Sequence, residues 1–311
     1  MTDSGPPMPL TRRRAAALLF LPLAPMTAPD AIADATHPQL ASYYARHAAL
    51  LGGVAWGWSG EGPPRRMRDG LVQVTVAKDA WYGLTADGTL LRWADDPQRA
   101  VTLRRDVARV AAGASGWIAI DRDGSAWQAG PDDRTVRVMA DVVDACVGDS
   151  ADYLVTRDGR VHVRGLAHRG QYGDGLLRAT PDYTATATDA VAVRAHTGHG
   201  VHLRRDGTVM GTGGNRYGPL SSHGLGDKAD RWGPIFSGAV AIATGSKHTV
   251  AIRDDGSLWG WGEGYAIQPA KLMDRVVAAA GGDTATLALD AAGALWQWEA
   301  GRGPRRVELP R

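Results

Sequence analysis

The strongest feature of this 311-residue sequence is a glycine that recurs along most of the chain. Successive copies are 35 to 49 residues apart, and aspartate precedes five of the seven. An Asp-Gly pair between two apolar runs is typical of a tight β-hairpin and predicts a two-residue type I′ turn, because both residues tolerate positive φ. Repetition at this spacing predicts one structural unit repeated along the chain. The seven copies are Gly53, Gly88, Gly124, Gly159, Gly207, Gly256 and Gly293.

Each turn lies in the same frame of short, β-rich segments. An upstream run such as Val72–Val76 or Val107–Ala112 is followed by a loop, a second run such as Thr249–Ile252, the turn, and a third run. In one third run, Trp259 and Trp261 are two residues apart and therefore point to the same face of a strand. Three or four short strands per unit, repeated around the chain, predict an all-β fold of the propeller class.

One unit carries an almost complete family motif. Residues Ala243–Ile252 read ATGSKHTVAI and Gly256–Gly262 read GSLWGWG. This pattern resembles the regulator-of-chromosome-condensation repeat, whose core reads A-x-G-x-x-H-x-x-A-L and then G-x-(L/V)-(W/Y)-x-W-G. Two Gly-rich insertions, Arg169–Gly175 and Gly214–Leu220, resemble a further segment of that family. The repeat histidine is kept at His199 and His248, and four other units replace it with Ala80, Gly116, Ala151 and Ala285.

The resemblance implies a seven-bladed β-propeller, and six units are clear in this sequence. The first unit is degenerate, because His47–Leu51 leads into Gly53–Trp58 without the full motif. The segment Leu40–Leu51 is Ala-rich with helical spacing of apolar residues, so we expect an irregular first blade that begins with a helix. Six blades plus a cap is the alternative. A strand near the amino terminus is expected to pair with the last blade, since an open sheet edge invites aggregation.

The amino-terminal segment has the features of an export signal. Thr11–Arg14 gives a basic start, Ala15–Ala24 an apolar run too short to span a bilayer, and Ala31–Ala33 a small-x-small cleavage pattern. We therefore predict a signal peptide over residues 1–33, cleaved after Ala33, and a single β-propeller domain over residues 34–311. The mature chain is expected to be periplasmic or secreted. The consecutive arginines resemble a twin-arginine signal, and the export route stays open.

Composition narrows the class of partner. The 35 basic and 33 acidic residues nearly balance, so no strong field is available to attract nucleic acid. The single cysteine, Cys146, cannot form an internal disulfide and lies in a strand-like run, which favours a small buried apolar role. No motif calls for a cofactor, and a closed ring needs no second copy. We expect a monomer without a cofactor.

Two kinds of cluster could carry metal binding or catalysis. His196, His199 and His202 place three imidazoles within seven residues, which could supply a metal site. A structural role is favoured, because His199 occupies the repeat's own histidine position. The carboxylate pairs, such as Asp254–Asp255, fall in hairpin-like contexts where aspartate supports turns. We predict no catalytic residue and no metal, with these three histidines as the metal candidates.

The loops between the first and second strands of the units form the predicted binding surface. Equivalent loops of a propeller emerge on one face, and here they interleave aromatic with charged residues. Such a mixture suits a protein interface, because Trp and Tyr supply large contact area at small entropic cost. The alternative is that the aromatic side chains point inward as core. The predicted contact residues are Asp79, Trp81, Tyr82, Trp117, Asp149, Asp152, Tyr153, Lys247 and Asp283.

The functional expectation follows from a further resemblance. In export, repeat frame and blade number, the chain is similar to the secreted propeller-type β-lactamase inhibitors of bacteria. The resemblance implies a non-enzymatic module that binds or inhibits a periplasmic or secreted enzyme through the loops of one face. The alternatives are an exported lyase or hydrolase with a His/Asp site near the central channel, formed around His162, His196 and His199, or an envelope scaffold. Fold alone does not separate these functions.

Overall fold

The computed structural model describes residues 38–129, 135–223, 226–299 and 301–310. The predicted signal peptide, residues 1–33, lies outside the described residues. Within them the chain forms short strands and one 3-10 helix, Pro97–Arg99. None of the described segments is a helix of the length and hydrophobicity that a bilayer span requires. The all-β prediction is confirmed.

The strands form seven antiparallel sheets, and each sheet takes four strands that are consecutive in the chain. Blades 1 to 4 consist of β1 (Gln39–Tyr43), β2 (Arg46–Leu51), β3 (Val54–Ser59), β4 (Arg65–Asp69); β5 (Leu71–Val76), β6 (Trp81–Thr85), β7 (Leu90–Trp93), β8 (Val101–Arg104); β9 (Val107–Gly113), β10 (Gly116–Asp121), β11 (Ala126–Ala129), β12 (Thr135–Met139); and β13 (Val142–Val147), β14 (Ala151–Thr156), β15 (Val161–Leu166), β16 (Ala179–Ala187). Blades 5 to 7 consist of β17 (Ala190–Ala195), β18 (His199–Arg204), β19 (Val209–Gly214), β20 (Lys228–Phe236); β21 (Ala239–Thr244), β22 (His248–Arg253), β23 (Leu258–Gly262), β24 (Ala270–Met273); and β25 (Val276–Gly281), β26 (Ala285–Asp290), β27 (Leu295–Glu299), β28 (Arg305–Val307).

The first strands of the seven sheets surround a central channel. Each contacts the first strands of both neighbouring blades, and β25 contacts β1, so the ring is closed. The seven-bladed prediction is confirmed and six blades plus a cap is wrong. The expectation of an irregular first blade with a helix is also wrong, because Leu40–Leu51 forms β1 and β2 of a complete four-stranded sheet. Its apolar residues fill the space between blades instead of one side of a helix.

Among the residues that the structure describes, the ring closes without exchange of strands, contrary to the expected pairing of an amino-terminal strand with the last blade. All four strands of blade 7 come from Val276–Val307. Contacts between sheet faces hold the two ends together: Trp58 Nε1 donates to Gln297 Oε1 at 3.1 Å, and the Asp283 amide donates to the Tyr44 carbonyl at 3.2 Å. The inner strand β1 is already paired with β2, so blade 1 needs no strand from elsewhere.

In six of the seven blades the recurring glycine ends a three-residue hairpin loop, so the predicted type I′ turn is wrong there. In blade 1 the prediction is right, because Gly52 and Gly53 form a two-residue loop between Leu51 and Val54 with φ of +58° and +77°. In blade 2 the Thr85 amide donates to the Thr89 carbonyl at 3.1 Å, and the Gly88 amide donates to the Thr85 carbonyl at 3.0 Å. Gly88 has a φ of +86°, whereas the φ of Asp87 is negative. This is a type I turn followed by a left-handed glycine. Asp87 contributes its carboxylate, which accepts the Thr89 amide at 3.1 Å.

The same glycine also links successive blades. The Gly88 carbonyl accepts the amide of Val107, the first residue of the next inner strand, at 3.0 Å. A Cβ on Gly88 would lie 3.1 Å from the Val107 carbonyl oxygen. The recurrence of glycine thus records both a turn conformation and a close approach between blades. The same link is made by Gly53, Gly124, Gly159, Gly207 and Gly256.

The second strand of each blade is buried on both of its sides. All six residues of β14 and all six of β26 are buried, without the alternation of a half-exposed strand. The reason is that the sheets stack face to face around the ring, so the middle of each sheet lies between two neighbours. The hydrophobic core is therefore divided among the seams between blades.

Candidate functional site

The two faces of the ring are built from different connections. First-to-second and third-to-fourth strand connections emerge on one face, which we call the loop face. Second-to-third strand hairpins and the connections between blades emerge on the opposite face, the hairpin face. In blade 4 the loop face receives residues 148–150 and 167–178, and the hairpin face receives residues 157–160. The prediction that equivalent loops share one face is confirmed by this topology.

Exposed apolar side chains are concentrated on the loop face. Of eight large apolar residues that the described chain exposes, six belong to this face and the other two, Val101 and Val136, lie on outer strands. Across the described residues, the hairpin face contributes none of the eight. The loop face is therefore the chemically distinct surface of the ring. Its six residues are Tyr44, Leu166, Leu176, Leu177, Tyr217 and Ile267.

Three of these residues form a patch on blade 4, which we call the leucine patch: Leu166, Leu176 and Leu177. Leu176 and Leu177 are 58% and 52% exposed, although the loop that carries them is held in place. The Leu176 amide donates to Asp174 Oδ1 at 3.1 Å, and Arg178 forms an ion pair with Asp174 at 2.5 Å. The leucines are thus presented by a braced loop.

Two further residues form a patch on blades 5 and 6, which we call the tyrosine patch: Tyr217 and Ile267. Lys247 Nζ lies 4.4 Å from the centroid of the Tyr217 ring and forms an ion pair with Glu263 at 2.9 Å. The two loops are adjacent, because a Cβ on Gly218 would lie 3.4 Å from Ile267 side-chain atoms. Lys247, one of the predicted contact residues, therefore lies in this patch.

A polar cluster crosses the channel at its loop-face end. The hydroxyls of Tyr43 and Tyr44, on blade 1, both donate to the carboxylate of Asp149, on blade 4; the Tyr44 distance is 2.6 Å. The Tyr43 ring stacks on the His196 imidazole of blade 5, with centroids 4.7 Å apart and planes 14° apart. We call these four residues the cross-channel cluster. Tyr43 and His196 are each 4% exposed, so the cluster fills this end of the channel.

The titratable side chains of the cluster have pKa values far from neutral pH. Burial, reinforced by Asp149, raises the pKa of Tyr43, and the hydrogen bond to Asp149 raises the pKa of Tyr44 to about 12. Burial opposes ionisation of Asp149, but the hydrogen bonds from the two tyrosines, together with His196 and Thr197, outweigh it and lower the pKa of that carboxyl. Burial lowers the pKa of His196 to about 4. General acid–base catalysis works best with a pKa near the operating pH, and the side chains of the cluster do not meet that condition. Their hydrogen bonds instead join blade 1 to blade 4 across the channel.

Four of the predicted contact residues are buried, so the inward alternative holds for them. Trp81, Tyr82, Trp117 and Tyr153 are between 1% and 7% exposed. They begin or occupy second strands, which are enclosed by neighbouring sheets. These side chains therefore form core and cannot present contact area to a partner without unfolding of the seam.

The other predicted residues have mixed positions. Asp152 is buried, with Arg164 at 2.9 Å and Ser115 Oγ at 3.0 Å as its partners. Asp79 has a 77% exposed side chain, and Asp283 is half-buried on the loop face. The structure thus brings Asp149 into the cross-channel cluster and Lys247 into the tyrosine patch, and leaves Asp79 apart from both.

Sequence reasoning missed the leucine patch and Ile267, because it considered only the first-to-second strand loops for contacts. The available signal was the Gly-rich insertion Arg169–Gly175, which is followed directly by Leu176 and Leu177. Adjacent leucines after a glycine turn do not alternate like a strand, and no apolar spacing assigns them to a core.

The three candidate metal ligands have separate roles in the seams. His199 Nε2 is hydrogen-bonded to Thr249 Oγ1 on the next blade at 3.2 Å, and His202 lies edge-on to Trp232 with centroids 4.7 Å apart. Burial lowers the pKa of His199 to about 3 and that of His202 to about 4. In the part of the chain that the structure describes, no three His, Cys, Asp or Glu side chains come together as a metal site.

Two cavities open on the loop side of the ring. One, of about 300 Å³, lies at blades 3 and 4 and is lined by Ser115, Asp149, Asp152 and Arg164 among others. The other, of about 390 Å³, lies between blades 7 and 1 and is lined by Gly60, Glu61, Thr284, Glu299 and Arg302. Neither lining contains a histidine, so neither forms the His/Asp site that the enzymatic alternative requires.

Comparison with known sequences gives one repeat match and one distant relative. The family profile described as "Regulator of chromosome condensation (RCC1) repeat" matches residues 239–268, which is most of blade 6. The Ultraviolet-B receptor UVR8 of Arabidopsis thaliana is 24% identical over 185 residues, which is 51% of this chain and 41% of the receptor. The chain therefore spans less than half the length of this relative.

Comparison with solved structures supports the fold. Prp20p from Saccharomyces cerevisiae superposes with a TM-score of 0.67 at 15% identity, covering 78% of this chain and 80% of Prp20p. Human WBSCR16 gives a TM-score of 0.57 at 17% identity, covering 88% and 81%. The CRINKLY WD40 ectodomain of the Arabidopsis thaliana receptor kinase ACR4 gives 0.58 at 14% identity, covering 88% and 98%. At these identities the likeness is one of fold.

Proposed function

We propose that this chain is an exported, non-enzymatic propeller that binds a protein partner through its loop face. The observation that carries the proposal is the placement of exposed apolar side chains, six on the loop face and, among the described residues, none on the hairpin face. Contiguous exposed apolar residues on a soluble protein are characteristic of interaction sites.

The loop face has the parts of a protein interface. The leucine patch and the tyrosine patch offer apolar and aromatic anchors, and such anchors carry most of the binding energy in protein complexes. Lys247, Glu263 and Arg178 surround the anchors with charge, as the polar rim of an interface does. Both patches belong to connections braced by hydrogen bonds or ion pairs, so little entropy is lost when a partner binds.

The geometry supports binding better than catalysis. The groups nearest the channel mouth, Tyr43, Asp149 and His196, have pKa values moved away from neutrality, and the hydroxyl of Tyr43 is committed to Asp149. The two loop-side cavities contain no imidazole. A lyase or hydrolase would need a base poised near its working pH.

The partner we propose is a periplasmic or secreted enzyme, which the chain binds and inhibits. Support comes from the sequence resemblance to propeller-type β-lactamase inhibitors and from the predicted signal peptide over residues 1–33. The solved structures offer an analogy: the structure of Prp20p is described together with its binding to Gsp1p and histones, and another structure holds Kap60 bound to the same yeast protein. Analogy of fold supports protein binding in general and not a particular partner.

The binding experiment compares three purified forms of residues 34–311. They are the wild type, a loop-face variant with Leu176→Asp and Leu177→Asp, and a control variant with Val101→Asp and Val136→Asp. Each form is immobilised and incubated with the periplasmic and secreted fractions of the source cells, and each retained protein is purified and titrated against all three. We expect the control to bind like the wild type, since its substitutions are equally exposed but lie on outer strands.

The loop-face variant is expected to lose binding by at least about tenfold, because two charges would occupy an apolar contact. Equal binding by the loop-face variant and the wild type would refute the proposed surface. If the captured protein is an enzyme, its turnover is measured with and without the wild-type chain, and unchanged turnover at saturation would remove inhibition from the proposal.

Export is tested separately by mass spectrometry of the protein recovered from the periplasm. The expected amino-terminal residue is Asp34. An intact chain that starts at Met1 and stays in the cytoplasm would refute both the signal peptide and the proposed location of the partner.

A further inference from the structure

The inner strands that line the channel are almost devoid of charge. Across β1, β5, β9, β13, β17, β21 and β25, the charged residues are Arg109, Asp144 and Arg194. These three come from the successive blades 3, 4 and 5 and form one cluster. The remaining residues of the inner strands are mainly Ala and Val, including half-buried valines at Val143, Val191, Val240 and Val277.

Asp144 is the only acidic member of the cluster and bonds blade 5 through one of its two oxygens. Its Oδ2 accepts the Val193 amide at 2.9 Å and Arg194 Nη1 at 2.7 Å. The Asp144 side chain is 9% exposed, whereas that of Arg194 is 37% exposed. One carboxylate thus serves as the counter-ion of a guanidinium that keeps part of its surface open to the channel.

Arg109 is the unusual member. Gln73 and Asp144 occupy the same third position of their inner strands, and each bonds the backbone of the next blade, Gln73 through the Val110 amide and carbonyl. Arg109 makes no hydrogen bond to any described residue, and its closest carboxylate contact is Asp144 Oδ1 at 4.0 Å. That separation is too long for a hydrogen bond. Arg109 therefore does not make the hydrogen bond to the backbone of the next blade that Gln73 and Asp144 make.

The cluster carries a net charge of +1 in a channel whose inner strands are otherwise uncharged. Two guanidiniums share one carboxylate, and a charge in a partly desolvated site is favourable only when it is paired. The planar fork of Arg donors matches carboxylate and phosphate oxygens in particular. One negative charge from an oxyanion beside Arg109 and Arg194 would bring the cluster to neutrality.

Arg109 lies towards the hairpin-face end of the channel. The cross-channel cluster occupies the loop-face end, and Arg109 is the third residue of β9, which begins at the hairpin face. Three aspartates precede inner strands at this mouth: Asp106 lies 3.8 Å from Arg122, Asp189 lies 3.2 Å from Arg204, and Asp141 is exposed. The carboxylates of Asp106 and Asp189 therefore have basic partners that offset their repulsion of an entering anion.

We propose that the channel binds a small oxyanion, a carboxylate or a phosphate, between Arg109 and Arg194. The anion accepts hydrogen bonds from the unengaged guanidinium donors and enters from the hairpin face. This site is separate from the loop face, so it stands or falls independently of the proposed partner binding.

The test is calorimetric titration of residues 34–311 with inorganic phosphate and with succinate, at low ionic strength where screening is weak. Four proteins are compared: wild type, Arg109→Gln, Asp144→Asn, and the control Arg205→Gln. Arg205 is exposed on the hairpin face outside the channel, so its removal changes the net charge by the same amount. Circular dichroism checks that each variant is folded.

We expect millimolar or tighter binding to the wild type and to Arg205→Gln. Arg109→Gln should weaken binding by at least about tenfold, because it removes charge-assisted hydrogen bonds. Asp144→Asn should tighten it, since the competing carboxylate is lost while an amide oxygen can still accept the Val193 amide. Binding of phosphate alone or of succinate alone identifies the class of oxyanion. Absence of binding by both probes, or unchanged binding by Arg109→Gln, would overturn the proposal.

Discussion

Five buried histidines should make the propeller acid-sensitive well above the range in which carboxylates protonate. His47, His196, His199, His202 and His248 are each at most 4% exposed. Burial lowers the pKa of His199 to about 3 and of the other four to about 4, against 6.5 for an exposed imidazole. The perturbation we consider is a change from about pH 7.5 to about pH 5.

The direction in which stability changes with pH follows from proton binding. In the unfolded chain these imidazoles titrate near 6.5, whereas in the folded chain they stay neutral until about pH 4. The unfolded state therefore binds more protons in this window, so the stabilising effect is complete above pH 6.5 and is lost as the pH falls towards 4. Asp149 and Asp283 face His196 and raise its pKa, but burial outweighs them.

The expected loss of stability is modest for each histidine and large for their sum. The free energy of unfolding falls by about 1.4 kcal/mol per pH unit for one such histidine, or by about 2 kcal/mol between pH 6.5 and pH 5. For all five the upper bound is on the order of 10 kcal/mol, which is comparable with the whole stability of a typical domain. We therefore expect the folded state to be lost between about pH 6 and pH 5.

The assay is urea unfolding followed by tryptophan fluorescence across this pH range. His199→Gln and His248→Gln should each reduce the slope of the free energy of unfolding against pH by about 1.4 kcal/mol per unit, one proton's worth. His168→Gln is the matched control, because His168 is exposed and its replacement leaves the five buried imidazoles in place. A flat dependence of stability between about pH 6.5 and pH 5, or slopes unchanged in both buried variants, would refute the reasoning.

Three further substitutions test the architecture through chemical unfolding. Tyr43→Phe should cost about 1 to 3 kcal/mol, because Asp149 loses a donor from the opposite side of the channel. Arg104→Gln should cost about 3 to 5 kcal/mol, since it leaves the buried carboxylate of Asp121 unpaired at a site where the two side chains are 19% and 9% exposed. Trp81→Ala should cost about 3 to 5 kcal/mol through a core cavity, so any loss of partner binding in that variant should track its loss of folded protein.

Exposed groups on the same molecule provide the controls. Arg66→Gln breaks an ion pair whose side chains are 58% and 60% exposed, and we expect a change below about 1 kcal/mol. Tyr217→Phe removes a hydroxyl from the exposed tyrosine patch and should leave stability unchanged. Equal effects for Arg66→Gln and Arg104→Gln, or for Tyr217→Phe and Tyr43→Phe, would contradict the assigned roles.

The blade pattern could be predicted from sequence because the repeating unit carries its own local signals. Each of the five repeated Asp-Gly pairs lies in a second-to-third strand hairpin, although the loop is one residue longer than a type I′ turn. The spacing alone could not show that loop length, since Gly88 serves both the turn and the carbonyl link to Val107. Leu40–Leu51 misled for a related reason: strands enclosed on both sides lose the alternation that distinguishes them from helices.

The candidate site was less accessible to prediction, because it depends on contacts between distant residues. Tyr43 and Asp149 are 106 residues apart in sequence and meet only because blades 1 and 4 lie on opposite sides of the channel. Trp81 and Trp117 fall beside loops, which favoured exposure, but the closing of neighbouring sheets buries them. The exposure of Leu176 and Leu177 depends on the path of one connection, which no local pattern specifies.

Within residues 38–310 as described, no strand passes between blades 7 and 1, which gives the ring a weak point under mechanical load. Six neighbouring pairs of blades are joined by the covalent chain as well as by a glycine carbonyl link, whereas the described residues of blades 7 and 1 meet through non-covalent contacts such as Trp58 with Gln297. A force that separates the two ends of the chain acts first on that seam and on the Tyr43–Asp149 bond. We therefore expect unfolding under load to begin at the seam between blades 7 and 1 and to proceed blade by blade from either side of it.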